Sequence, residues 1–112
     1  MSRRIVRNAD FLYSVGRAKK PERQKLIRGA GPRQLNSVAE VTKNINKGNI
    51  PVSPRIKKTF CKHKHLMRKI ADRSIGTEQR KRLLLQKGGF LVPLIVSTIA
   101  SLLPTLLSKR QQ

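Results

Sequence analysis

Between residues 53 and 73 the apolar positions recur every three or four residues: Ile56, Phe60, His63, Met67 and Ile70 form one stripe, widened by Leu66 and Ala71. That spacing is the mark of an amphipathic helix. Ser53 is suited to cap it and Pro54 to open its first turn. A second helix is expected from Pro32 to about Lys47, with Leu35, Val38, Ala39, Thr42 and Ile45 on one face. Gly48 supplies its stop, with Pro51 beyond. The two apolar faces call for each other, which makes a helical hairpin with a cationic exterior. A third helix starts at Thr77-Glu78-Gln79-Arg80 and runs toward Gln86, placing Leu83–Leu85 against the open side of the hairpin.

The two ends of the chain read differently. In residues 1–30 Asp10 can cap a short helix through Phe11, Leu12 and Val15, and Pro21 can open another that stops at Gly29. Helices of this length are marginal alone, so this leader is expected to be partly disordered. At the other end Phe90 to Leu107 is a run of eighteen residues without a charge. It is close to the lower limit, roughly 17–25 residues, for a helix that crosses a bilayer. Pro93 falls in the first turn, where it is harmless, whereas Pro104 kinks or ends the helix. Phe90, Leu91, Leu94, Ile95, Ile99, Leu102, Leu103, Leu106 and Leu107 would touch lipid or pack on protein, and the sequence leaves both open. The fold expected is thus mostly α: short basic amphipathic helices, loosely associated, with a separate C-terminal hydrophobic helix. With three Phe, one Tyr and no Trp, a large core is not expected. The divisions are a leader at 1–30, a basic helical segment at 31–89 and a tail at 90–112.

Charge changes the picture most. Twenty-six Lys and Arg against five acids give a net charge of +21. Such a chain repels itself until a polyanion neutralises it, which points to nucleic acid first and an anionic lipid surface second. The five acids, Asp10, Glu22, Glu40, Asp72 and Glu78, are scattered, and no phosphate loop or nucleophile arrangement is present, so an enzyme is not expected. Cys61, His63 and His65 lie close in sequence, but on a helix only Cys61 and His65 share a face and nothing completes a tetrahedral set; no metal or other cofactor is expected. The bases carry the function: Arg55, Lys57, Lys58, Lys62, Lys64, Arg68, Lys69, Arg73, Arg80, Lys81 and Arg82 are the candidate phosphate contacts. Without aromatic residues among them to stack on single-stranded bases, duplex DNA is favoured and sequence readout is not. A ribosomal-type, RNA-packing protein remains an alternative on charge alone.

Two glycine motifs stand at composition borders. Ile27-Arg28-Gly29-Ala30-Gly31 closes the leader, and Gln86-Lys87-Gly88-Gly89-Phe90 separates the basic segment from the tail. A side-chain-free joint favours a bend and a protease that needs extended backbone. This layout, with Leu91-Val92-Pro93-Leu94-Ile95 following, resembles the precursors of the adenovirus core protein X (mu) family, which has small basic relatives in adintoviruses and Polinton-type elements. The resemblance implies a late virion protein of the viral core and host nucleus that condenses double-stranded DNA and contacts capsid or other core proteins. It also implies processing by a maturation cysteine protease after Ala30 and after Gly89. The released piece, 31–89, would carry 15 bases and 3 acids, a net of +12. The rival reading is a tail-anchored or membrane-active protein, in contact with a membrane through residues 90–107 and attracted to anionic lipid by its basic body.

Overall fold

The computed structural model describes residues 3–100. Among them eight α-helices follow one another: α1 (Arg3–Arg7), α2 (Ala9–Arg17), α3 (Lys20–Arg28), α4 (Pro32–Asn46), α5 (Pro54–Lys62), α6 (Lys64–Ala71), α7 (Thr77–Leu83) and α8 (Leu91–Ser97), with a π-helical turn, Leu84–Gly88, before the last. Most boundaries follow from local chemistry. Helix α4 has Pro32 in its first turn, and Gln34 Oε1 accepts from the Gly31 N–H at 2.9 Å, half of a capping box. It ends before Gly48, whose φ of 77° is the left-handed conformation that closes a helix. Ser53 Oγ accepts from the Ile56 N–H at the start of α5, as its residue type foretells.

Helix α4 lies in the middle, in contact with α1, α2, α6, α7 and α8. Its Leu35, Val38 and Val41 are buried together with Ile5 of α1, Leu12 and Val15 of α2, Met67 and Ile70 of α6, and Leu91, Val92, Ile95 and Val96 of α8. The expected pairing of 32–47 with 53–73 is present as the contact between α4 and α6. The stripe is also as expected, with Phe60, Met67 and Ile70 buried and Ile56 and His63 half-buried. One detail differs: the helix over 53–73 is broken at His63 (φ −113°, ψ 34°) into α5 and α6.

Three expectations are corrected. The leader is not partly disordered among its described residues: α1, α2 and α3 bury Ile5, Ala9, Phe11, Leu12, Val15 and Ile27 in the common core. The physical reason is that Ile5, Ala9 and Leu12 continue one stripe across the break at Asn8, so two helices too short to stand alone dock as one face. Nor are the helices loosely associated. The radius of gyration is 12.9 Å, close to the roughly 13 Å of a folded 100-residue domain. Finally, residues 90–100 do not stand apart from the basic segment, because α8 packs on α2 and α4. The approach is close: a Cβ on Gly16 of α2 would meet Val96 Cγ1 at 2.5 Å. Leu102, Leu103, Leu106 and Leu107 lie outside the described residues. Among the described residues no helix is long and apolar enough to cross a membrane.

The first part of the tail therefore matters for stability. Leu91, Val92, Ile95, Val96 and Ile99 are all buried, each worth about 1.5–3 kcal/mol. Their sum is comparable to the whole stability of a small domain, about 5–15 kcal/mol. A chain cut back to residues 1–89 should lose the cooperative thermal transition that the full chain shows, read by far-UV circular dichroism.

Candidate nucleic-acid interface

Because the stripe of α5 and α6 turns inward, the intervening bases face out. Of the eleven candidate contacts, Arg55, Lys57, Lys58, Lys62, Lys64, Arg68, Lys69, Arg73 and Arg82 are exposed, and Lys81 is half-buried. No acid occurs from Pro54 to Ala71, so this surface is cationic throughout. Two members are partly engaged. Arg73 Nη2 lies 3.0 Å from Glu40 Oε2, a carboxylate that also pairs with Arg4 at 3.4 Å. Lys81 Nζ donates to the Arg28 carbonyl at 2.9 Å, tying α7 to the end of α3. Cys61 is exposed, and among the described residues no three His, Cys, Asp or Glu side chains gather as a metal cluster. His63 meets Phe90 edge to face, with ring centroids 5.0 Å apart. Phe90 is 47% exposed.

Arg80 does not belong to this surface. It is 2% exposed, and its guanidinium is spent inside the fold. Nε donates to the Ile70 carbonyl at 3.3 Å, Nη1 to Asn36 Oδ1 at 2.9 Å, and Nη2 to the Asp72 carbonyl. Two of these acceptors are carbonyls at the C-terminal end of α6, which lack intrahelical donors. The third is a side chain of α4. A single fork thus caps α6 and binds α7 to the central helix. Burial lowers the Arg80 pKa from its ordinary value, opposed by the nearby Asp72 carboxylate. Asp72 is itself held below the usual carboxylate range, chiefly by the Ser74 hydroxyl and then by the Ser74 N–H, both of which donate to it. Periodicity places Arg80 beside Lys81 and Arg82 without telling it from them; only the tertiary fold does.

The glycine motifs are built into ordered backbone. Ile27 and Ala30 are buried on either side of Gly29, which is exposed, and Gly31 is half-buried. Gly88 is buried in the π-helical turn, while Gly89 and Phe90 keep right-handed helical dihedrals (φ −61°, ψ −33° and φ −67°, ψ −19°). A Cβ at Gly89 would lie 2.4 Å from the Leu84 carbonyl oxygen. Glycine is needed there for close approach, and where an extended joint was expected the backbone makes a turn with right-handed helical dihedrals. Gln86 is exposed.

A second basic group is not marked by helical periodicity. Arg3, Arg4 and Arg7 of α1 and Arg33 of α4 line a shared concavity with Asn8 and Asn36. Their sequence signal is an arginine in the first turn of α4, where that helix has no acid, and Arg3 and Arg7 one helical repeat apart. What joins them is the docking of α1 on α4. Comparison of the chain with known families, curated proteins and solved structures finds no match.

The different standing of neighbouring arginines is measurable. Arg80→Ala should destabilise the fold by about 3–5 kcal/mol, since it leaves buried acceptors unpaired. Arg82→Ala should stay within about 0.5 kcal/mol, as surface changes do. Urea denaturation of the two variants gives both numbers.

Proposed function

We propose that this chain is a structural, non-enzymatic core protein of a virion or mobile element that neutralises and condenses double-stranded DNA through phosphate contacts without reading sequence. The observation that carries this is the outer face of α5 and α6. Seven bases, Arg55, Lys57, Lys58, Lys62, Lys64, Arg68 and Lys69, stand there without one acid, and all seven are exposed. A merely solvated helix surface usually mixes both signs. Lysines dominate, and Phe60, the one Phe, Tyr or Trp within α5 and α6, is buried, which suits phosphate oxygens rather than base stacking. The resemblance to adenovirus core protein X precursors agrees with this function and adds proteolytic processing after Ala30 and Gly89.

Arg80 is removed from the contacts by its burial, and Arg73 and Lys81 are partly engaged within the fold. That leaves about eight bases for phosphate, so log affinity should fall with log salt at a slope of about −7. Titration of random duplexes at several salt concentrations measures it. A shallow slope, strong discrimination between duplexes, or a preference for single strands would count against the proposal. Processing is checked separately with a cysteine protease that accepts both the Gly-X-Gly form at 29–31 and the Gly-Gly form at 88–89. Because both motifs are anchored by buried residues, cleavage should accelerate as mild denaturant loosens the fold; a chain left intact even when unfolded would remove processing from the proposal.

A further inference from the structure

We propose that the concavity between α1 and α4 is a seat for one phosphate group, separate from the α5–α6 surface. It has a volume of about 460 Å³ and is lined by Arg3, Arg4, Arg7, Asn8, Arg33 and Asn36. Three features distinguish it from a solvated basic patch. First, its walls are fixed. Ile5 of α1 and Leu35 and Val38 of α4 are buried in the common core, and α1 packs on α4, so the arginines project from two helices held together by apolar packing. Second, its cations are all arginines, whose planar forks bind phosphate oxygens in pairs, whereas the α5–α6 surface is mostly lysine. Third, Asn36 is oriented. Its Oδ1 accepts from Arg80 Nη1 at 2.9 Å, which fixes the amide of a residue that lines the concavity and leaves its NH2 available as a donor for an anion.

The charge balance also favours an anion. Glu40 takes one edge of Arg4 at 3.4 Å, and Asn8 Nδ2 is used on the Arg4 carbonyl at 2.7 Å. Arg7 has contacts of its own within the fold. Arg3 and Arg33 make no ion pair with a described residue. Arg33 further sits in the first turn of a fifteen-residue helix that carries no acid there. The positive end of the helix dipole opposes a cation and favours an anion, so phosphate at this point relieves both.

The phosphate can belong to a nucleic-acid backbone or be free. The first source rests on the DNA-binding function proposed above, and the second does not. The test uses the full chain, its Arg3→Gln/Arg33→Gln variant and a Lys57→Gln/Lys58→Gln variant with the same charge loss on α5. Amide chemical shifts are followed on adding inorganic phosphate at constant ionic strength, then on adding a short random duplex. Phosphate should move the amides around Arg33 and Asn36 in the wild type and in the α5 variant. In the concavity variant it should bind at least about tenfold more weakly, the loss of one charge-assisted pair. Diffuse shifts over all basic residues, or equal phosphate binding by the two variants, would overturn the seat. If the duplex moves the same amides, a backbone phosphate is the occupant. If phosphate moves them and the duplex does not, free phosphate is. If the duplex fails to bind anywhere while phosphate still does, the seat stands and the DNA-binding proposal falls.

Discussion

The first two helices and the last described one close over α4, and that closure is what the fold depends on. Leu12 and Val15 come from near the start, Ile95 and Val96 from near the end, and all four are buried beside the central helix. None of the contributing helices is long enough to be stable alone. Their stability is collective, drawn from one apolar cluster that every segment helps to build. The molecule must hold that cluster together against the 24 Lys and Arg and five acids of residues 3–100, a net charge of +19, in a fold with a radius of gyration of 12.9 Å. At physiological salt, charges screen one another only beyond about 8 Å, so repulsion among the exposed bases works constantly against the core. An anion that binds the folded form would therefore add stability as well as occupancy.

The internal arrangement of charge eases this tension at a few points. Glu40, on the central helix, draws in Arg4 from one side and Arg73 from the other. Such pairs have exposed cations and are individually weak, but they keep two cationic segments against α4. Arg80 goes further and is taken inside, where three acceptors replace water. No buried side-chain polar atom among the described residues lacks a partner. Among the charges left outside, two groups differ in character, a lysine-rich one on α5 and α6 and an arginine-only one between α1 and α4.

Much of the middle of the chain was legible from periodicity and caps. Pro32, Gly48, Ser53 and Pro54 mark boundaries through local chemistry, and local chemistry is what a sequence displays most directly. The stripe from Ile56 to Ile70 is likewise a one-dimensional pattern, and it survives the break at His63. Residues 3–30 and 90–100 are less legible because their stability is not local. Ile5, Ala9 and Leu12 are sparse when read as two separate short helices and become a docking face only against α4. The apolar run from Phe90 reads as an independent helix because nothing in its own sequence names Gly16 as the surface it packs on. Arg80 illustrates the limit for the binding surface. Its neighbours Lys81 and Arg82 have the same chemistry, and burial is decided by the end of α6 reaching it from ten residues away. The arginine concavity fails for a related reason, since its parts are some thirty residues apart along the chain.

The π-helical turn at Leu84–Gly88 sets the angular phase between the basic and the greasy ends of the C-terminal half. A π turn holds one residue more than an α turn, and each residue of a helix advances it by about 100°. With one residue fewer, the backbone would wind more regularly, yet Leu91 and Ile95 would swing away from α2 and α4. The wide turn, with Gly89 tucked against the Leu84 carbonyl, is thus a gearing device: it rotates a hydrophobic stripe into alignment with a cavity whose walls were laid down by the first half of the chain.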